Sequence, residues 1–361
     1  MSTQIHQDVS EAVAAHRVQV TEAIVTQQFA RQPELVESLG ERGRQKYLQE
    51  ANYQLDYLVE SLAMAQPMLF ADYVAWARVV AAGRDVAGED LALNLECLCE
   101  ALRMALPTAM ADMAVEYVRA GRERLARTPA TLPTCLIEDQ ALSPLAHEYL
   151  AALLEGDRQR ASRLVLSAVE SGVSVQDIYL QVFQSSQHEV GRLWQMSRIS
   201  VAQEHFCTAA TQLIMSQLYP YLFSGERTGR TLVATCIAGD LHEIGVRMVS
   251  DLFELDGWDT IYLGANTPVP SILQTVREQQ ADVLAISATI APHLRSVEEL
   301  IQQVRAAPDC SEVKIIVGGH PFNVVPQIWR QLGADGCAHD AATSVALANS
   351  LVSHKPRKGA P

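Results

Sequence analysis

The sequence predicts an α plus α/β protein: an all-helical amino-terminal domain, a four-helix bundle, and a five-stranded doubly wound (flavodoxin-like) domain. Three observations predict this class. Apolar residues at helical spacing run through residues 1–127 and resume in residues 144–225. From residue 226 to 353, short apolar runs alternate with helical segments of about 10 to 15 residues. Three prolines in "RTPATLPTCLIEDQALSP" place a linker at residues 128–143 between the helical regions.

Several helices are expected in residues 1–127, because breakers interrupt the helical pattern at Pro67, Gly83, Gly88 and Pro107. The two predicted buried faces are Leu55-Leu58-Val59-Leu62 and Leu91-Leu95-Leu98-Leu102.

Aromatic residues gather in the same domain, and they are Tyr53, Tyr57, Phe70, Tyr73 and Trp76. Core packing explains any one of them, whereas the whole set could also wall a pocket for a flat ligand. Cys97 and Cys99 lie two apart on a predicted helix and therefore face different sides, so we expect buried small side chains rather than a covalent attachment site.

Breaks near Gly156, Gly172 and Ser197 divide residues 144–225 into four helices. The predicted strands of residues 226–353 are "TLVATCI", "TIYLG", "VLAISA", "KIIVGG" and "GCAH". The final stretch, residues 354–361, is expected to be a disordered basic tail.

Composition excludes several classes of function. The formal net charge of −14 over 361 residues argues against direct DNA binding. No apolar run approaches the roughly 20 residues that a membrane span requires. Seven cysteines, an odd number without a disulfide framework, fit a reducing cytoplasm.

The carboxyl ends of the predicted parallel strands should share one edge, where ligands bind in doubly wound folds. The residues expected there are Asp240 and His242, Gly264 to Asn266, Ser287 and Thr289, and Gly318-Gly319-His320. Two interpretations of His242 follow. It is an exposed first-turn residue, with Asp240 as helix cap and Glu243 as capping-box partner. Alternatively it is a metal ligand whose other ring nitrogen is held by Asp240. One histidine cannot hold a bare transition metal, so the metal would bring its remaining ligands in a macrocycle.

The ordered set Asp240-x-His242-x-x-Gly245, Ser287-x-Thr289 and Gly318-Gly319 resembles the cobalamin-binding fold of corrinoid methyltransferases, mutases and light sensors. The resemblance implies that the benzimidazole tail of the corrinoid leaves the cobalt and is buried in the sheet domain. It also implies that His242 replaces the tail as lower axial ligand.

A second pattern, Trp194-x9-Glu204-His205, has a plain structural explanation as a core tryptophan and an exposed helix turn. Beside the corrinoid motif it resembles the upper-face cap of CarH-type cobalamin photoreceptors. The resemblance implies that Trp194 packs over the adenosyl group and that Glu204 and His205 help to hold it. Photolysis would then empty an apolar pocket and change the quaternary structure. One residue departs from that family: Gln195 stands where its histidine captures the cobalt, so His188, His205 or water would have to substitute.

The amino-terminal helices resemble the region of photocobilins that holds biliverdin, with Arg78, Arg84 and Arg103 available for its propionates. These resemblances imply a non-enzymatic light sensor that binds adenosylcobalamin and non-covalent biliverdin, self-associates in a light-dependent way and signals to a protein partner. Two alternatives stay open: a corrinoid carrier of a methyltransferase system, and a cobalamin-binding antirepressor or adaptor.

Overall fold

The computed structural model describes residues 2–223 and 226–352, with the side chains of residues 2, 3 and 34–41 left aside. The chain divides into two compact units, and the boundary falls between Leu132 and Pro133. We call residues 1–132 the helical unit and the rest the sheet unit. The tail predicted for residues 354–361 lies outside the described residues.

Helices make up the helical unit, and prolines or glycines stand at several of their ends. They are α1 (Ser2–Ala15), α2 (Arg17–Arg31), α3 (Pro33–Ala63), α4 (Pro67–Gly83), α5 (Gly88–Ala105) and α6 (Thr108–Arg127). The predicted breakers Pro67, Gly83 and Gly88 lie at helix ends, and Pro107 directly precedes α6. Across the described ranges, none of the helices is both long enough and apolar enough to cross a bilayer.

Both predicted buried faces of the helical unit are confirmed except at Leu91, which is half-buried. The aromatic set packs mainly on itself: the rings of Tyr57 and Tyr73 stack with centroids 4.3 Å apart, and Phe70 is fully buried beside them. Core packing therefore accounts for these three rings. Cys97 and Cys99 are buried as predicted, and burial raises the pKa of both thiols.

Four helical segments open the sheet unit, as predicted. The first two are α7 (Ser143–Leu154) and α8 (Arg158–Glu170). The third is continuous and consists of α9 (Val175–Asp177), a π-helix (Ile178–Phe183) and α10 (Gln184–Gln195), and the fourth is α11 (Val201–Gln217). The connections turn at Gly156, Gly172 and Ser197, which all have positive φ angles. Ser200 begins α11 with a capping box that Gln203 completes. We call these four segments the cap.

The predicted five-stranded sheet is confirmed, with every pairing parallel and the strand order β2-β1-β3-β4-β5. Its strands are β1 (Thr231–Cys236), β2 (Asp259–Gly264), β3 (Val283–Ser287), β4 (Lys314–Gly318) and β5 (Gly336–Ala338). Its helices are α12 (Ile244–Leu255), α13 (Val269–Glu278), α14 (Leu294–Ala306), α15 (His320–Val324), α16 (Ile328–Leu332) and α17 (Ala341–Leu351). The apolar runs form strands because both sheet faces are covered, as the burial of β1 and β3 shows.

Polar contacts tie the cap to α12 at two positions. The Tyr179 hydroxyl, on the π-helix, donates to Asp251 Oδ2 at 2.8 Å, and the Arg247 guanidinium donates to Ser216 Oγ at 2.8 Å. Burial raises the pKa of the Asp251 carboxyl to about 6, although the Tyr179 hydrogen bond and the Arg247 charge act in the opposite direction.

The raised pKa of Asp251 predicts a pH-dependent stability. The folded protein keeps this carboxyl protonated up to about pH 6, whereas the unfolded chain keeps it protonated only up to about pH 4. The stabilisation linked to the protonated carboxyl is therefore lost as the pH rises through that window. Asp251→Asn still accepts the Tyr179 hydrogen bond without ionising. We expect the variant to exceed the native chain in free energy of unfolding by about 1 to 3 kcal/mol at pH 7.5 and by little near pH 4.5. Urea denaturation at both pH values measures this, and a difference independent of pH would contradict it.

Candidate functional site

The turn between β1 and α12 is built around the buried carboxylate of Asp240, which is 1% exposed. Its Oδ1 accepts hydrogen bonds from His242 Nδ1 at 2.8 Å and from the His242 backbone amide at 3.0 Å. Its Oδ2 accepts from the backbone amide of Thr289, beyond the end of β3. Asn266 holds the turn from the β2 side, because its Oδ1 accepts from the amide of Gly239 at 2.8 Å. The predicted hydrogen bond between Asp240 and His242 is therefore present.

The capping-box interpretation of this turn is wrong. Asp240 lies too early to cap α12, whose N-cap residue is Glu243, and Glu243 makes no side-chain cap bond. The Glu243 carboxylate instead accepts hydrogen bonds from Gln212 of the cap, from the Tyr262 hydroxyl and from the Ala265 amide. The buried carboxylate of Asp240 therefore accepts hydrogen bonds from His242 and from the loop of Thr289, and it does not cap α12.

His293, which the sequence analysis missed, brings a second imidazole to the Asp240 carboxylate. Its Nδ1 lies 3.6 Å from Asp240 Oδ2, and its side chain is mostly buried, at 17% exposure. This nitrogen has no hydrogen-bond partner among the described residues. His293 follows β3 on the loop that also supplies Thr289, and only the assumption of a shared sheet edge could have indicated it.

The electrostatics of the turn follow from this geometry. Burial alone would raise the pKa of Asp240, but the hydrogen bond from His242, the contact with His293 and the amides of His242 and Thr289 outweigh it and hold the pKa far below its usual range. The Asp240 hydrogen bond in turn raises the pKa of His242, against desolvation. The carboxylate is thus anionic, and it keeps the Nδ1 proton of His242 directed toward itself.

His242 can ligate a metal only through Nε2, because Nδ1 is committed to Asp240. The side chain is 63% exposed, and Nε2 has no hydrogen bond to any residue that the structure describes. A methyl group added at Gly245, one turn along, would meet no atom within 4 Å, so open space lies beside the turn. Within residues 2–223 and 226–352, no group of three or more metal-ligating side chains is present. The donor set fits a metal that brings its other ligands in a macrocycle, held axially by one imidazole.

The remaining predicted edge residues are brought together as expected. Ser287 is in register with Cys236 of β1 on one side and with Gly318 of β4 on the other. Gly319 follows with φ +112°, and a Cβ there would lie 2.0 Å from the carbonyl oxygen of Ala288. Only glycine fits this close approach of two loops.

Among the site residues predicted on the cap, Glu204 acts on His242. Its negative charge helps to raise the pKa of the His242 imidazole. Glu204 lies in the first turn of α11, accepts from Thr208 at 3.0 Å and lies 3.4 Å from His205 Nε2. Trp194 is half-buried near the end of α10, whereas the His205 side chain is 74% exposed. The Glu204 carboxylate is therefore close enough to His242 for its charge to act on the imidazole.

The two histidines considered in place of Gln195 differ in their surroundings. His205 is paired with Glu204. His188, on α10, is exposed to solvent, yet desolvation by the surrounding protein and the nearby His320 lower its pKa. His320 follows Gly319 on the sheet edge, so His188 lies close enough to this edge for the two imidazoles to affect each other.

In the helical unit, a cleft of about 870 Å³ lies among the ends of α4 and α6 and the start of α5. Arg78 lines it, together with Arg122, but Arg84 and Arg103 do not. Arg84 lies 3.9 Å from Glu50 instead. Of the three arginines predicted to meet propionates, Arg78 therefore borders this cleft.

Comparison with known proteins identifies the class of this site. Residues 230–348 match the family model described as a B12 binding domain, and residues 145–219 match a second model with the same description. A corrinoid protein of Desulfitobacterium hafniense strain Y51 is 25% identical over 58% of this chain and 97% of its own length. Dimethylamine corrinoid protein 3 of Methanosarcina acetivorans is 26% identical over 58% of this chain and 97% of its own.

Among solved structures, the monomethylamine corrinoid protein of Methanosarcina barkeri superimposes with a TM-score of 0.53 at 21% identity, over 59% of this chain and all of that one. This likeness shows a shared fold. Residues 145–219 and 230–348 are therefore B12-binding domains related to corrinoid proteins, and their cofactor is a corrinoid. About two fifths of the chain lies outside these matches.

Asp240→Asn is expected to lower corrinoid affinity by about 10- to 100-fold, the usual effect of losing the partner that orients a metal-bound histidine. An asparagine has one acceptor oxygen where the native carboxylate uses two, so its amide would oppose either His242 or the Thr289 amide. Equilibrium titration with hydroxocobalamin measures the loss. Asp259→Asn, which removes an exposed carboxylate near Arg227, is the matched control and should bind normally. Equal affinity of both variants would contradict the role of Asp240.

Proposed function

We propose that the chain is a corrinoid carrier protein of a methyl-transfer system, in which His242 binds the cobalt from below and the cap covers the opposite face. A bound corrinoid cobalt supplies the chemistry of holding and releasing an upper ligand such as a methyl group. The observation that carries the proposal is the hydrogen bond from His242 Nδ1 to the buried Asp240, which leaves Nε2 available on a side chain that is 63% exposed.

The chain's own residues supply the other parts of this function. Asp240 fixes the tautomer of His242 and increases its basicity as a ligand. Gly318 and Gly319 let two loops approach closely at the sheet edge, and Ser287 and Thr289 lie there to contact the corrinoid tail. The name of one relative, dimethylamine corrinoid protein 3, supports methyl transfer, and the chain matches that relative over 97% of its length.

A second candidate function is light sensing with adenosylcobalamin, favoured by the placement of Glu204. Its carboxylate is close enough to His242 for its charge to act on the imidazole, and Trp194 stands ten residues earlier on the preceding helix. These residues would form the pocket for an adenosyl group, with His205 beside Glu204. In this candidate, biliverdin would bind in the helical unit, self-association would depend on light, and the signal would pass to a protein partner.

One experiment separates the two candidates. The full chain is purified in darkness, loaded separately with methylcobalamin and adenosylcobalamin, and examined by absorption and size-exclusion chromatography before and after green illumination. A carrier should give up its methyl group to a thiol when a corrinoid:thiol methyltransferase is added, and its elution volume should not respond to light. A light-dependent elution volume with adenosylcobalamin alone, and no methyl transfer, would replace the first candidate by the second.

A separate addition tests the bilin. Biliverdin mixed with the full chain should give a red-absorbing band if the helical unit binds it, and Arg78→Gln should weaken that band because Arg78 borders the cleft. Arg84→Gln is the matched control, since Arg84 lies near Glu50 and outside the cleft lining. Absence of any band in the native chain would remove the bilin from the account.

A further inference from the structure

Glu243 joins three elements of the sheet unit at the residue next to His242. Its Oε1 accepts a hydrogen bond from Gln212 Nε2 of α11 at 2.7 Å. Its Oε2 accepts from the Tyr262 hydroxyl of β2 at 3.0 Å and from the Ala265 amide at 3.1 Å. The cap, the end of β2 and the His242 turn therefore share one carboxylate.

The surroundings of this carboxylate are shaped for it. A Cβ added at Gly264 would lie 3.1 Å from Glu243 Oε2, and Gly264 has φ +76°, so a glycine there leaves the carboxylate room. All three donors point at an acceptor-only group. A glutamine at position 243 would turn an amide nitrogen toward either Gln212 or the donors on the β2 side.

We infer that Glu243 is a positioning residue. Through its hydrogen bonds, the position of the cap affects the turn that carries His242, and so determines how strongly the imidazole binds the corrinoid cobalt. This inference rests on the proposed axial role of His242. The other cap contacts described above end on α12 itself, at Arg247 and Asp251, one or more turns beyond the His242 turn. Gln212 is the cap residue whose hydrogen bond ends on the turn residue itself.

The geometry gives the coupling a direction. When the cap is seated, Gln212 completes the acceptor set of Glu243 and fixes the peptide that follows His242. When the cap moves away, the carboxylate keeps its bonds to Tyr262 and Ala265 but loses its restraint from α11. A charge-assisted hydrogen bond is about twice as strong as a neutral one, so its loss should be measurable at the neighbouring imidazole.

The test compares Gln212→Ala with Ser216→Ala, because each removes one cap-to-sheet hydrogen bond and only the first ends on Glu243. The full chain is loaded with cobalamin, and its absorption spectrum gives the ratio of histidine-bound to histidine-free cofactor. Gln212→Ala should lower this ratio by about 5- to 10-fold, which corresponds to about 1 to 1.4 kcal/mol. Ser216→Ala should leave it unchanged. Glu243→Gln should reproduce the loss.

Hydrogen–deuterium exchange of the cap provides the second reading. Both alanine variants should increase exchange in α11, because each weakens cap seating, while only Gln212→Ala alters the spectrum. An unchanged ratio in Gln212→Ala, or equal changes in both variants, would overturn the inference while His242 still ligates in the native chain. If the native chain itself binds cobalamin without histidine ligation, the axial role of His242 fails and the inference fails with it.

Discussion

His242→Ala is expected to abolish the histidine-bound absorption spectrum of the corrinoid and to lower its affinity by at least the ~10- to 100-fold that loss of a supporting partner causes. The reason is that the two ring nitrogens of His242 have different roles. Asp240 occupies Nδ1, so Nε2 is the nitrogen available to a metal, on a side chain that is 63% exposed. With alanine, the buried Asp240 carboxylate also loses its side-chain donor, which costs further stability at the site.

Absorption spectroscopy and equilibrium titration with hydroxocobalamin measure both effects. His16→Ala is the matched control, because it removes an imidazole from the helical unit, where His16 Nδ1 bonds the carbonyl of Ala12. The control should keep the native spectrum and affinity. A His242→Ala variant with the native spectrum would show that another group ligates the cobalt.

Gly319→Ala should lower the free energy of unfolding of the sheet unit by about 3 kcal/mol or more. Gly319 has φ +112°, and the added methyl would lie 2.0 Å from the backbone oxygen of Ala288, so two loops at the sheet edge would have to separate. The same edge carries a backbone bond from the Ala288 amide to Gly318 at 3.0 Å, which the displacement would disturb. Urea denaturation of the full chain, followed by circular dichroism, measures the loss.

Gly245→Ala is the matched glycine substitution with the opposite expectation. Its Cβ meets nothing within 4 Å, and its position in the first turn of α12 favours alanine by about 0.5 to 1 kcal/mol. Stability should stay the same or rise, whereas corrinoid affinity should fall because the methyl enters the space beside His242. Native affinity in Gly245→Ala would show that the corrinoid does not use this space, and native stability in Gly319→Ala would refute the packing argument.

Local patterns were sufficient to predict the sheet and the cap. The five apolar runs are short and bounded by turn residues, and the breaks at Gly156 and Gly172 coincide with positive φ angles. The pair Asp240 and His242 was also predictable, because two residues of spacing place a carboxylate beside an imidazole on one turn. In each case the information lies within a few residues of chain.

What could not be predicted depends on distant contacts. His293 lies far along the chain from Asp240, beyond the next two strands, and nothing local marks it as different from a surface histidine. Glu243 has the spacing of a capping-box residue, but its carboxylate accepts hydrogen bonds from Gln212 and Tyr262, which lie on other elements, instead of capping the helix. The aromatic residues of α3 and α4 were ambiguous for the same reason, since only packing shows that Tyr57 and Tyr73 stack on each other.

The axial bond from His242 to cobalt is tested most directly by electron paramagnetic resonance of the full chain loaded with cobalamin and reduced to the cobalt(II) form. One axial nitrogen splits the cobalt lines into triplets, and protein grown with ¹⁵N-histidine should convert those triplets to doublets. Our account predicts this conversion in the native chain and its loss in His242→Ala. Triplets that persist after ¹⁵N-histidine labelling would mean that the corrinoid's own benzimidazole ligates the cobalt, and would contradict the account.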